Sequence, residues 1–257
     1  MNKLEKYYNK FNEDKRLTSR HGIVEFTVTM ENIKKHLPNK TCNIIDIGAG
    51  TGKYSNALYL LGHNVTAVEL VQKNLSVLKQ NYPNIKALKG NALDLCKFKD
   101  NEFDVALLFG PMYHLFNQDD KIKALFEAKR VVKNGGIIFV NYLLADYAFI
   151  RHGIMDNFLR EDMSNGKINE EFDIITTEDD IYSYVKINDI DKLNEVSNLT
   201  RKAIFAPDGA TDYIRKQLNE LTEDDFYTFI KYQLKNCERQ DLLGASSHVV
   251  DVLINKK

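Results

Sequence analysis

The sequence predicts an α/β fold: one domain of 257 residues around a seven-stranded, mostly parallel sheet with helices on both faces. Three observations support that expectation. Short apolar runs alternate with helix-like segments from Ile44 to Tyr142. The runs are apolar at consecutive positions, as in strands covered on both faces. The first run, Ile44 to Ile47, opens into Gly48-Ala49-Gly50-Thr51-Gly52 and then into a helix. A turn with so few side chains lets a ligand lie against the backbone. Strand, glycine turn and helix together make a nucleotide-type site at the C-terminal end of a strand. Asp46 sits inside the apolar run, where a lone carboxylate is costly to bury without partners.

The later elements follow in order. Lys53 to Leu61 reads as a helix closed by Gly62. Val65 to Leu70 is the second strand. Glu69, near its end, stands about 20 residues past the first glycine, where an acid accepts from ribose hydroxyls; taken alone, it would be a solvated glutamate at a strand end. A helix from Gln72 to Gln80 stops at Asn81-Tyr82-Pro83. Ile85 to Leu88 is the third strand, leading into Gly90-Asn91-Ala92-Leu93-Asp94. Phe103 to Phe109 is the fourth, leading into Gly110-Pro111-Met112-Tyr113-His114. Asp119 to Val132 is an amphipathic helix with Ile122, Leu125, Phe126 and Val131 on its apolar side, capped by Asn134-Gly135-Gly136. Ile137 to Tyr142 is the fifth strand.

The glycine spacing separates two nucleotide chemistries. A dinucleotide fingerprint needs G-x-G-x-x-G, and Lys53 stands where its third glycine should be. Strand-Asp46-x-Gly48-x-Gly50-x-Gly52 instead resembles the first motif of the class I S-adenosylmethionine-dependent methyltransferases. The resemblance runs in order from Ile44 to Tyr142 and implies a Rossmann-like sheet. It implies that S-adenosylmethionine is the cofactor, held by Asp46, Gly48, Ala49, Gly50, Gly52, Glu69, Leu70, Asn91, Ala92 and Phe109. Glu69 would hold the ribose and Leu70 would pack on the adenine. Family members often carry Gly-Asp-Ala where this chain has Gly90-Asn91-Ala92. Asn91 either accepts from the adenine amine through its oxygen or is an ordinary turn residue, and Asp94 is the nearby alternative. Gly110-Pro111-Met112-Tyr113 lacks the amide or carboxylate that methyltransferases of exocyclic base amines carry after the fourth strand. The segment resembles instead a bacterial group reading Gly-Pro-Leu-Tyr-His-Leu there.

Bulk properties narrow the partners. The 44% hydrophobic fraction is enough for a core, and a net charge of −1 gives no global attraction for nucleic acid or anionic membrane. The three cysteines, Cys42, Cys96 and Cys237, are scattered, suit a reducing compartment and form no metal pattern. Residues 1–16 are polar and charged, and no apolar run approaches the ~18 residues of a membrane span. A cytoplasmic protein is expected, with no metal and no membrane or nucleic-acid partner. The oligomeric state is not readable.

The flanks read as additions to the core at residues 41–142. Residues 1–40 form an N-terminal helical extension, with Phe26, Met30, Ile33 and Leu37 on one face and Pro38 ending it. In the resembling group this segment packs over the cofactor. Arg20 would then pair with the cofactor's carboxylate or lie at the surface, and Tyr8 would cover the sulfonium by a cation–π contact or pack. Residues 143–186 lose periodicity and are rich in Asp, Glu and Asn, as expected of a lid over the acceptor. The core resumes over residues 187–257, with a helix near Asn188 to Val196, a strand at Thr200 to Phe205, helices over Thr211–Leu221 and Thr222–Cys237, and a last strand from Ser247 to Ile254. The resemblance makes that strand antiparallel.

Methyl transfer from a sulfonium is an in-line displacement in which the protein aligns the partners and removes water. His114 is the candidate general base or a structural histidine bonded to a loop carbonyl, and Tyr113 orients the acceptor or packs. His21, His152, Arg239 and His248 are weaker pocket candidates. The expected function is methyl transfer to a small molecule. The rivals are a methyltransferase of RNA or protein, a non-catalytic cofactor-binding regulator, and a nicotinamide oxidoreductase.

Overall fold

The computed structural model describes residues 3–10 and 18–257. The elements are α1 (Lys3–Lys10), α2 (Arg20–His36), β1 (Asn43–Ile47), α3 (Lys53–Leu60), β2 (Asn64–Glu69), α4 (Gln72–Asn81), β3 (Lys86–Lys89), β4 (Phe103–Leu108), α5 (Gln118–Val131), β5 (Val132–Leu143), α6 (Ala145–Ala148), α7 (Leu159–Ser164), α8 (Ile187–Ser197), β6 (Thr200–Phe205), α9 (Arg215–Glu220), α10 (Glu223–Asn236) and β7 (His248–Ile254). Short 3₁₀ turns at Pro111–His114 and Gln240–Ala245 and a π-helical turn at Phe149–Met155 complete them.

All seven strands form one sheet in the order β3-β2-β1-β4-β5-β7-β6. The pairs β2–β3, β1–β2, β1–β4 and β4–β5 are parallel, while β7 runs antiparallel to both β5 and β6. Strand order reverses beside β1, so a crevice opens above the carboxyl ends of β1 and β4, where ligands of open α/β sheets bind. The antiparallel run of β7 brings its first residue, His248, to the same rim, opposite Leu143.

The two faces bury separate cores. On one, α5 and α8 cover Ile45, Ile47, Leu108, Ile138, Val140 and Tyr142. On the other, α2 and α10 cover Ile44, Val105, Leu107, Phe139, Phe205 and Val250. The alternation of odd and even residues along each strand sends neighbours to opposite faces, which is why the strands read as unbroken apolar runs.

Most boundaries fall within a residue or two of the sequence expectation. Two differ more. Asn134-Gly135-Gly136 does not cap α5: the helix ends at Val131 and the glycines lie within β5. Gly136 passes so close to the neighbouring chain that a Cβ would meet Asp104 O at 2.7 Å. The helix expected from Thr211 begins only at Arg215, since residues 211–214 form turns below Asp208. In the N-terminal extension, α2 buries Met30 and Ile33, half-buries Phe26 and stops before Pro38; residues 1–2 and 11–17 of that extension lie outside the described residues. Residues 143–186 hold short helical turns and isolated bridges. Among the described residues, no helix is long and apolar enough to cross a membrane.

Candidate active site

A cavity of about 200 Å³ lies along the carboxyl ends of β1, β2, β3 and β4. Its floor begins at the glycine turn. Gly48 N and Ala49 N both donate to Val68 O, at 2.8 and 3.1 Å, which ties the turn to β2. Gly48 has φ +81°, and a Cβ there would meet Pro111 Cδ at 2.5 Å and Phe109 O at 2.7 Å. The turn therefore nests against the segment after β4 only because position 48 has no side chain. Gly52 works differently. It lies outside the cavity lining, at the N-cap of α3, and its bare Cα lets Leu78 of α4 approach: a Cβ would stand 2.6 Å from Leu78 Cγ. In this structure the observed role of Gly52, expected as a cofactor contact, is packing.

Asp46 is buried and lines the cavity. Ser55 Oγ of α3 donates to Asp46 Oδ2 at 2.5 Å, the partner that the apolar run alone does not supply. Burial still pushes its carboxyl up to about 6, against the lowering effect of Ser55. Glu69 ends β2 and is also buried in the wall. Gly50 N donates to its Oε2 at 2.8 Å and Val71 N to its Oε1 at 2.7 Å. Burial, helped by the nearby Asp46 charge, raises it to about 7, while the backbone donors act in the opposite direction. Glu69 is thus no solvated strand end. It clamps the glycine turn and lines the cavity as an acceptor.

Leu70, Asn91 and Ala92 continue the wall. Asn91 Oδ1 accepts from Leu93 N at 3.0 Å, so it holds its own turn as well as facing the cavity. Asp94 lies outside this lining and accepts from Cys96 N. Phe109 and Ala49 also line the space.

The far end is built by the segment after β4. His114 and Tyr113 both line the cavity. His114 Nδ1 lies 2.9 Å from Ile181 O and Nε2 lies 2.9 Å from Tyr8 Oη. A carbonyl can only accept, so Nδ1 carries the proton and Nε2 accepts from Tyr8. Burial pushes His114 down to about 4, against the Ile181 bond. This histidine is neutral near pH 7 and its basic nitrogen is occupied. The expectation of a general base gives way to a histidine that bonds a loop carbonyl and joins three chain segments. Tyr7 Oη and Tyr182 Oη lie 2.8 Å apart, and Ser183 N donates to Tyr113 O. Lys121 Nζ, buried below, reaches Leu115 O and Ser183 Oγ, and burial lowers it to about 8. Helix α1 and residues 181–183 are clasped over the site through these bonds.

Arg20 does not reach the cavity. Its guanidinium donates to Leu218 O and Leu221 O at 2.7 and 2.6 Å, pairs with Glu223 and lies over the Phe226 ring. The Arg20 side chain points from α2 toward α10, away from the site. His152 and Arg239 are outside the lining too, paired with Asp156 and Asp241; His21 bonds Ser19 Oγ. His248 is close: its ring lies 6.2 Å from that of Tyr113, and its Nδ1 lies 2.7 Å from Asp208 Oδ2.

Two buried polar residues stand out among the lining residues that were not singled out from the sequence as site residues. Glu25 of α2 is 3% exposed and Asn141 of β5 is 7% exposed. Either is visible in the sequence only as a polar residue in an otherwise apolar stretch, Asn141 between Val140 and Tyr142 and Glu25 beside Phe26.

The comparisons with known proteins agree with this geometry. Residues 45–140 match the methyltransferase domain family. Over residues 45–140 the chain carries a methyltransferase domain, and its fold is that of S-adenosylmethionine-dependent methyltransferases. It is an enzyme of that class, and its cofactor is S-adenosylmethionine. No curated protein matches. Among solved structures, the fold is shared with an S-adenosylmethionine-dependent methyltransferase from Thermotoga maritima, described as a possible histamine N-methyltransferase: 18% identity, 98% of each chain covered, TM-score 0.60. It is also shared with a methyltransferase from Haloferax volcanii solved with its activator protein (14% identity, 100% and 99% covered, TM-score 0.61). A third is geranyl diphosphate C-methyltransferase from Streptomyces coelicolor, solved with S-adenosyl-L-homocysteine (13% identity, 89% and 79% covered, TM-score 0.56). The residues of this methyltransferase fit the cofactor. The turn at Gly48 is a cradle that a Cβ would fill, and a carboxylate stands at the end of β2 beside it.

Proposed function

We propose that this methyltransferase acts on a small-molecule acceptor. The observation that favours this is the enclosure of the cavity: α1 and residues 181–183 are bonded to each other and to the segment after β4 across its far end. An opening so covered suits a compact acceptor better than a folded macromolecule. When bound, S-adenosylmethionine supplies a methyl group activated by its positive sulfur. In this reading Asp46, Gly48, Ala49 and Gly50 take the floor, Glu69 accepts from ribose hydroxyls, Leu70 and Ala92 flank the adenine, and Asn91 meets its edge. Phe109 and Tyr113 line the passage toward the acceptor. Tyr8 and His114 hold the cover in place and keep water out, which is most of what the protein must do for an activated methyl group. The free cysteines, with Cys42 and Cys237 buried, suit the cytoplasm.

The test is methyl transfer from labelled S-adenosylmethionine, with a small-molecule library, total RNA and a protein extract offered in parallel. Label in small molecules alone is expected. Label in RNA or protein, with none in the library, would overturn the acceptor class. Cofactor binding without transfer to any of the three would point to a regulator.

A further inference from the structure

We propose that the acceptor is an amine and that Asn141 anchors it; the proposal rests on the methyltransferase reading above. Asn141 lines the cavity and is 7% exposed, and its Oδ1 has no hydrogen-bond partner among the described residues. A buried amide oxygen left without a donor is destabilising, and buried polar atoms in folded proteins nearly always have partners. Unlike the other unpartnered amide oxygens, those of Asn194 and Asn255, it belongs to a residue that lines the cavity, and in this reading the ligand brings the missing donor.

Position says which ligand. The residues assigned to the cofactor sit at the ends of β1, β2 and β3, whereas Asn141 is on β5, with β4 between β5 and β1. Two strand spacings of about 4.8 Å place it roughly 10 Å to the side of the strand that feeds the glycine turn. That is the acceptor's end. The amide that Gly110-Pro111-Met112-Tyr113 lacks after β4 is thus offered by the neighbouring strand.

Chemistry narrows the acceptor further. A carbonyl oxygen accepts and does not donate, so its complement is an N–H or O–H group. Glu25 adds a buried carboxylate to the same wall. Behind it, carboxylate oxygens of Glu25 and Asp208 and a ring nitrogen of His248 lie within 4.8 Å of one another. Asp208 accepts from the Ser246 and Ser247 hydroxyls and from the amide and Nδ1 of His248, so its lone pairs are already committed. That commitment disfavours a metal ion at the cluster; burial opposes ionisation of Asp208, but its pairing with His248 outweighs this and balances its charge, which leaves Glu25 as the carboxylate that lines the cavity. Such a wall favours an ammonium and repels carboxylates and phosphates. The rings of Tyr54, Phe109 and Tyr113 line the same space and offer faces to a cation.

The test is calorimetric binding to the full chain saturated with S-adenosylhomocysteine. The probes are 2-phenylethylamine and N-methyl-2-phenylethylamine, against the similarly shaped 2-phenylethanol and 3-phenylpropanoate. The amines are expected to bind at least about tenfold more tightly than the other two. Asn141→Leu should weaken the amines by about tenfold or more, while Asn141→Asp, which keeps an acceptor oxygen, should retain them. Both should hold S-adenosylhomocysteine as the wild type does. Should the leucine variant fail to fold, Asn141→Ser, whose hydroxyl falls short of the amide's reach, is expected to show the same loss. Bound S-adenosylhomocysteine with no preference for amines, or with no amine bound, overturns the proposal and leaves the methyltransferase reading standing. Undiminished amine affinity in the leucine or serine variant also overturns it. A wild-type chain that does not bind S-adenosylhomocysteine sinks the methyltransferase reading itself.

Discussion

The two ends of the cavity are built by different means. The nucleotide end is made of consecutive residues at strand ends: Asp46 to Gly50, Glu69 to Val71, Asn91 to Leu93. Its partners are local or one strand away, as in the bonds from Gly50 N and Val71 N to Glu69. The end proposed for the acceptor draws single residues from distant stretches of chain: Tyr8, Glu25, His114 and Asn141. Contiguity gives a readable motif, and assembly from afar does not. The nucleotide end is therefore predicted to depend on backbone geometry and the acceptor end on side-chain bonds that span segments.

The largest effect should come from Gly48→Val. The new side chain would collide with Pro111 and Phe109 O and would force a branched residue to φ +81°. Affinity for S-adenosylhomocysteine, measured calorimetrically, should drop below detection; retained binding would break the account of the cradle.

Glu69→Gln should come next, with about a tenfold loss or more from removing a charged acceptor. It carries a pH signature. Glu69 has its carboxyl raised to about 7 in the folded protein, and ribose hydroxyls donate best to the ionised form. Affinity should therefore rise as pH rises through about 7, and the Gln variant should lose that rise. The same shift costs stability on ionisation: the fold favours the protonated group, so this contribution is present at low pH and is lost between the ordinary value of 4.5 and about 7. A flat wild-type pH profile would remove Glu69 from ribose binding.

At the acceptor end, Tyr8→Phe and His114→Ala should each slow turnover several-fold, by about 0.5–1.5 kcal/mol for one lost hydrogen bond. The double variant should be no worse than the poorer single one, because both remove the same contact. Cofactor affinity should barely move. Fully additive losses would show that His114 acts in the chemistry and not through Tyr8.

Arg20→Ala should have the smallest effect on function. Its bonds to Leu218 O and Leu221 O hold α2 to the α9–α10 corner, so the thermal midpoint should fall by a few degrees with cofactor affinity unchanged. Lost affinity would restore the carboxylate-pairing role to Arg20.

The sheet was legible because each strand is a buried apolar run and each turn has its own punctuation. Gly48, Glu69 and Asp46 were legible as a pattern, while Gly52 followed the same pattern into a packing role that only the approach of Leu78 reveals. The bonds of Arg20 to Leu218 O and Leu221 O were not legible, because a helix position does not say which way its side chain turns. The hydrogen bonds of His114 run to Tyr8 and Ile181, 106 and 67 residues away, and no spacing encodes such a meeting. Asn141 was hidden inside a strand read for its apolar neighbours.

The reversed direction of β7 has a consequence for how such an enzyme diversifies. A strand laid head to tail against its neighbours delivers the start of the chain's last segment, Ser246 to His248, beside β5 at the rim. In the proposed reading, residues 246–248 and position 141 can vary with what is methylated without disturbing the strand ends proposed to grip the methyl donor.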